Sequence, residues 1–139
     1  MLLLATQAHQ DQFDKGGKPY ILHPLKVMHY IRAEEDEELQ CIALGHDLLE
    51  DTRVTERELY KMNFTPRVVE GIKALTKVNG EPYEDYKAKV LANKDAVVVK
   101  MADLRHNMDP RRLKGVEEKD LARIERYVKF YHELSSCLQ

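Results

Sequence analysis

Ala96-Val97-Val98-Val99-Lys100-Met101-Ala102-Asp103-Leu104-Arg105-His106-Asn107-Met108 is the stretch on which the fold turns. Its first four residues are small or β-branched and read as a strand by propensity. The residues from Lys100 onward continue at helical spacing, and no other run in the chain offers a partner strand. The stretch is therefore read as one buried helix, and the protein as all-α, a single compact helical bundle over residues 1–139.

Outward from that helix, six glycines and five prolines punctuate periodic segments. Before it, helices are expected over Leu2–Gln12, Tyr20–Arg32, Leu39–Glu50, Thr55–Met62, Thr65–Leu75 and Tyr83–Ala92. After the break at Asp109-Pro110, a last one is expected over Lys119–Leu134. Thr55-x-x-Glu58 is a capping-box pattern, and Pro66 stands in the first turn of its helix. The acidic run Glu34–Glu38 sits where negative charge favours a helix N-terminus. Leu39–Glu50 is the most apolar of these segments.

Lys and Arg (22) nearly balance Asp and Glu (24), so the overall charge offers no attraction to nucleic acid or to a membrane surface. No apolar run approaches the roughly 20 residues that cross a bilayer. The two cysteines, Cys41 and Cys137, match no metal or redox spacing, in keeping with a reducing, cytoplasmic setting. Nothing specific fixes an oligomeric state.

Three blocks carry the chemistry: His23-Pro24 after Lys18-Pro19-Tyr20, then His46-Asp47-x-x-Glu50-Asp51, then Lys100-x-x-Asp103-x-x-x-Asn107. In the second block, helical spacing puts Glu50 and Asp51 one turn beyond His46 and Asp47. Three carboxylates so close raise one another's pKa unless a cation compensates them. Asp103 projects from a largely buried helix and needs a partner or a metal. His23, His46, Asp47 and Asp103 form a mixed nitrogen and oxygen ligand set. Such a set suits Mn²⁺, Fe²⁺ or Zn²⁺ better than Mg²⁺ and leaves positions open for water and substrate.

Taken together, Pro19-Tyr20-x-x-His23-Pro24, His46-Asp47-x-x-Glu50-Asp51-Thr52 and Val99-Lys100-Met101-Ala102-Asp103-x-x-His106-Asn107-Met108 resemble the hydrolase domain of RelA/SpoT proteins and their small stand-alone homologues. The resemblance covers roughly residues 5 to 130. It implies a helical HD fold and a Mn²⁺-dependent hydrolase that removes the 3′-pyrophosphate of guanosine tetra- and pentaphosphate. It assigns His23, His46, Asp47 and Asp103 as metal ligands and Glu50 and Asp51 as the acidic pair that positions and activates water. Asn107 is placed near the phosphate-bearing ribose.

The resemblance departs at Asp14, where the family usually has an arginine beside the base, and at Leu104-Arg105 and Asp109-Pro110-Arg111-Arg112 after the third block. An aspartate repels phosphate, so recognition is expected to differ while the metal site is kept. Lys18, Tyr20, Lys100, Arg105 and Asn107 are the candidate substrate contacts. Arg111, Arg112 and Lys114 either join a clamp for polyphosphate or form a solvated basic face. Three functions stay open: hydrolysis of a guanosine bis(diphosphate) or adenine analogue, hydrolysis of another nucleotide or phosphate ester, and nucleotide or partner binding without turnover.

Overall fold

The valine-rich stretch is helical: α8 (Lys94–Asn107) runs through it without interruption. Asn93 caps it, its side chain accepting from the Ala96 N–H at 3.0 Å. Val97, Val99 and Leu104 point inward, and the same helix presents Asp103 as a buried acid. These coordinates are a computed structural model, and they describe residues 1–138. Among the described residues there is no strand, only an isolated bridge between Phe13 and Pro19.

Two helices lean on α8 from the N-terminal half, α2 (Leu22–Ile31) and α3 (Glu37–Gly45), and each delivers part of the site. From the C-terminal half, α9 (Glu118–Cys137) covers α8 with Phe130 and Leu134, and α7 (Tyr83–Leu91) adds Tyr86 and Val90. Each large side chain buried in this way contributes about 2 kcal/mol of hydrophobic stabilisation. α6 (Pro66–Ala74) crosses α3 through two reciprocal contacts of glycine with isoleucine. A Cβ on Gly71 would stand 2.6 Å from Ile42 Cδ1, and one on Gly45 would stand 2.9 Å from Ile72 Cδ1. The close crossing sets the end of α3, from which His46 and Asp47 project.

The acidic run has partners. Asp36 caps α3 by accepting from the Leu39 N–H, and Arg67 ties Asp36 to Asp95. The capping box of α5 (Glu56–Lys61) forms with both of its hydrogen bonds. α1 (Leu2–Ala8) packs beside α3.

Of the helix boundaries that differ from expectation, three bear on the site. The helix expected over Leu39–Glu50 is two: α3 stops at Gly45, and α4 (Leu48–Asp51) starts after Asp47, whose φ of −102° and ψ of 1° leave the helical range. Neighbouring residues on a continuous helix do not face one another. The break is what brings His46 and Asp47 to a common centre. The first helix ends at Ala8 rather than Gln12, because the chain reverses at Asp11 (φ 67°) to lay Phe13 against Pro19. Tyr20 and Ile21 precede α2 in a turn, which places Tyr20 beside the site instead of on a helix face. No helix among the described residues is long and apolar enough to cross a membrane.

Candidate metal centre

His23 in the first turn of α2, His46 and Asp47 at the break after α3, and Asp103 in the middle of α8 meet at one buried point. His23, His46 and Asp103 are 2–4% exposed. Asp103 Oδ1 lies 2.8 Å from His23 Nε2 and 3.3 Å from His46 Nε2, and Asp47 Oδ2 lies 3.1 Å from His46 Nε2. Adjacent donors on an ion with bonds of about 2.1 Å are about 3 Å apart, so these separations could serve a ligand set.

The tautomer of His46 makes the case for a cation. Its Nδ1 lies 2.7 Å from the Ala43 carbonyl, an acceptor only, so Nδ1 carries the proton. Neutral His46 then turns the bare Nε2 lone pair toward two carboxylate oxygens. That arrangement is repulsive unless a proton or a metal ion occupies the space between. Burial would keep His46 neutral, but Asp47 and Asp103 outweigh it and hold the imidazole well above its usual pKa. Burial would likewise raise Asp47; the His46 charge overrides it and draws Asp47 down to about 2. For Asp103, burial is overcome first by Lys100 and then by the two histidines. The donor set fits a divalent ion of mixed nitrogen and oxygen preference.

A supporting layer holds each donor. The Tyr20 hydroxyl donates to Asp47 Oδ2. Lys100 Nζ lies 2.8 Å from Asp103 Oδ2, and Asn107 Nδ2 donates to Asp103 Oδ1 at 2.9 Å. His23 Nδ1 meets His106 Nδ1 at 2.8 Å, the two rings stacked within 10° of parallel. Such partners orient ligands and raise metal affinity.

Glu50 and Asp51 stand at the mouth of the cluster. Ligand atoms of Asp47, Glu50 and Asp51 lie within 4.8 Å of one another. Both acids reach solvent, but the surrounding protein strips part of their hydration and raises both pKa values, with Asp47 adding to the effect. Glu50 Oε1 accepts the Lys77 N–H at 2.6 Å, which fixes the carboxylate.

Of the expected substrate contacts, Tyr20, Lys100 and Asn107 are at the centre, as holders of Asp47 and Asp103. Lys18 is exposed on the glycine turn. Arg105 stands apart, its guanidinium 4.0 Å above the Tyr30 ring. The basic residues after α8 are divided among partners: Arg111 pairs with Asp109, while Arg112 donates to Asn107 Oδ1 at 2.9 Å and lies 3.4 Å from Asp14 Oδ2. Asp14 is thus neutralised rather than left to repel an anion. Gly16 makes room for this contact, since a Cβ there would stand 2.3 Å from the Arg112 carbonyl oxygen.

Two cavities flank the cluster. One, of about 260 Å³, opens beside Tyr20 and Asn107 and is walled by Phe13, Tyr127 and Arg123. The other, of about 650 Å³, opens beside His23 and His106 and is walled by Lys18, Lys26 and Arg111. Asp14, Asp109 and Arg112 line both and stand between them. Arg112 and His106 had sequence signals, in the basic run and in the third block, but no position in sequence showed which cavity they serve. His9 gave none. It is 2% exposed, hydrogen-bonded at Nδ1 to Gln12, and has no partner at Nε2 among the described residues.

No family model matches the chain. A guanosine-3′,5′-bis(diphosphate) 3′-pyrophosphohydrolase of Haemophilus influenzae is 35% identical over 76% of this chain and 17% of its own length. An enzyme of the same name from Aquifex aeolicus is 34% identical over 75% of this chain and 16% of its own. A GTP pyrophosphokinase of Myxococcus xanthus is 31% identical over 86% of this chain and 17% of its own. The chain therefore spans about 17% of the length of the curated relatives it matches. Among solved structures, one described as a metazoan ortholog of SpoT that hydrolyses ppGpp superposes with a TM-score of 0.78. That likeness covers 96% of this chain and 82% of the other at 22% identity, and shows a shared helical fold.

Proposed function

We propose, from the premise that the chain belongs to the RelA/SpoT-type HD-domain family, that it is a divalent-metal-dependent phosphohydrolase that removes the 3′-pyrophosphate of guanosine 3′,5′-bis(diphosphate). The observation that carries this reading is His46 Nε2 held 3.1 Å from Asp47 Oδ2 and 3.3 Å from Asp103 Oδ1, with Glu50 and Asp51 next to it. A buried binding pocket without chemistry has no use for an acidic pair beside such a cluster.

His23, His46, Asp47 and Asp103 would hold the ion, which we take to be Mn²⁺. When bound, it supplies Lewis acidity toward water and phosphoryl oxygens. Glu50, fixed by the Lys77 N–H and raised above its ordinary pKa, accepts the proton of the attacking water. Asp51 helps to orient that water. Tyr20, Lys100 and Asn107 keep Asp47 and Asp103 aimed inward, so these three shape the ligand set. The cavity beside Tyr20 and Asn107, with Phe13 and Tyr127 on its walls, is sized for part of a nucleoside.

The Asp14–Arg112 pair favours a second reading, the same chemistry on another nucleotide, because the wall beside Phe13 carries a carboxylate where the family usually has arginine. Product analysis separates the two. The first reading expects guanosine 5′-diphosphate and pyrophosphate in equal amounts. Turnover confined to other nucleotides in a phosphate-ester panel would move the assignment to the second.

A further inference from the structure

The peptide unit that holds Glu50 is itself held from behind. The Thr76–Lys77 peptide lies in the segment joining α6 to α7, and its N–H donates to Glu50 Oε1 at 2.6 Å. Its carbonyl, on the opposite edge of the same plane, accepts from Lys89 Nζ at 2.7 Å. A trans peptide is planar, with its N–H and C=O pointing in opposite directions, and the described residues contain no cis peptide. Fixing the carbonyl therefore fixes the direction of the N–H. The Lys89 ammonium also polarises the unit and strengthens the N–H as a donor.

The lysine is placed for this by α7. Carbonyls at a helix C-terminus have no partner within the helix, and α7 supplies donors to those at the end of α6. The Tyr86 hydroxyl donates to the Leu75 carbonyl at 3.1 Å. Lys89, one turn further along the same face of α7, takes the next carbonyl, that of Thr76. A second Lys89 hydrogen bond goes to Glu81 Oε1 at 3.0 Å, and that oxygen also accepts the Val78 N–H at 3.1 Å. The Glu81 N–H closes the turn on the Val78 carbonyl at 3.0 Å, with Gly80 at a φ of 82°.

Lys89 thus braces the chain on both sides of Lys77. A lysine that only capped α6 would have no need of the second anchor beyond it. The Lys89 and Glu81 side chains are 31% and 17% exposed, so the brace is partly shielded from solvent. Glu50 depends on it, because the Lys77 N–H is its one hydrogen-bond donor among the described residues. The charged groups around Glu50 are Asp47 and Asp51 beside it and Lys100 from α8.

We infer that Lys89 is a positioning residue for the reaction: through the Thr76–Lys77 peptide, and braced by Glu81, it aims and holds the Glu50 carboxylate. The inference rests on the reading of Glu50 as the group that takes the proton of the attacking water.

Lys89→Met keeps the aliphatic stem and removes the ammonium. Amide NMR of the metal-free protein reads the contact without turnover. The Lys77 amide proton should move upfield in Lys89→Met and exchange at least about tenfold faster, and Lys89→Arg should restore both. In steady-state hydrolysis of guanosine 3′,5′-bis(diphosphate), kcat of Lys89→Met should fall about tenfold to 10²-fold, as for a displaced reacting group. KM and Mn²⁺ affinity should stay within about twofold of wild type, a split that general destabilisation would not give. In a Glu50→Gln background, Lys89→Met should change kcat by less than about twofold, because the two act along one route. An unchanged Lys77 amide overturns the inference. A wild-type kcat in Lys89→Met beside a slow Glu50→Gln also overturns it, as does full additivity of the two changes, and in these cases the reading of Glu50 stands. Glu50→Gln at the wild-type rate overturns the reading of Glu50 itself, and the inference with it.

Discussion

Lys100 Nζ lies 2.8 Å from Asp103 Oδ2, which leaves Asp103 Oδ1 to His23, His46 and Asn107. One carboxylate is thus divided between a cation built into the chain and the place proposed for a metal ion. The Lys100 side chain is 16% exposed and that of Asp103 6% exposed, so removing the lysine leaves a buried acid short of compensation. Lys100→Met is expected to cost the metal-free protein about 3 kcal/mol. Saturating Mn²⁺ should return part of that loss, because the ion compensates the same carboxylate. Equal destabilisation with and without Mn²⁺ in thermal melts would contradict the division.

Glu50→Gln separates metal binding from chemistry. The amide keeps the shape and the Lys77 contact but accepts no proton, so kcat is expected to fall 10²- to 10⁴-fold with Mn²⁺ affinity unchanged, in the range usual for a lost general base. Burial raises Glu50 above its ordinary 4.5. The ionised base is lost as pH falls, so the acidic limb of the wild-type rate profile should lie above 4.5 and vanish in the variant. A wild-type rate in Glu50→Gln removes the residue from its assigned role.

The metal-free protein should have a two-sided stability curve. Asp47 is drawn down from 3.8 to about 2, so its contribution is full above about 4 and is lost as pH falls toward 2. His46 is raised above 6.5, so its contribution is full below 6.5 and is lost as pH climbs through the raised value. Mn²⁺ should reverse the alkaline decline, since its ligands bind deprotonated. Melting temperatures of the metal-free protein that stay level from pH 6.5 upward would show that His46 is not held as described.

Gly71→Ala tests the crossing that aims the site. The added methyl would meet Ile42 Cδ1 at 2.6 Å and Cγ1 at 3.0 Å, both inside a packed core. Overpacking of about 2 kcal/mol is expected to outweigh the helix propensity gained, about 1 kcal/mol. Ile42→Val removes the nearest atom, so the double variant should be more stable than the sum of the two single changes. Strict additivity in denaturant melts would mean that the two helices do not meet through these side chains.

Much of this was legible before any coordinates. The valines of α8 were assigned as helix because the spacing after Lys100 was helical and no partner strand existed, and the capping box at Thr55 and Glu58 formed as its pattern implied. The four candidate ligands converge because each follows a helix end or a buried helix face that periodicity locates. The break between Gly45 and Leu48 was not legible. The apolar pattern runs straight through it, and the cause lies in contacts with residues some 23 and 57 positions away, His23 and Asp103. Tyr20 was placed among substrate contacts from its neighbours in sequence. Its hydroxyl holds Asp47, because the turn before α2 carries it inward, and Tyr20 also lines the smaller cavity. Asp14 looked like a bar to phosphate until Arg112, 98 residues on, proved to be its partner. Long-range charge pairing of this kind has no periodic signature.

The most direct test of the account is release of pyrophosphate from guanosine 3′,5′-bis(diphosphate) by metal-stripped protein before and after addition of one equivalent of Mn²⁺, with Asp47→Ala beside it. The account predicts turnover only after the ion is added, and none in Asp47→Ala at any Mn²⁺ concentration that saturates the wild type. Turnover by metal-stripped wild type, or by Asp47→Ala, would contradict it.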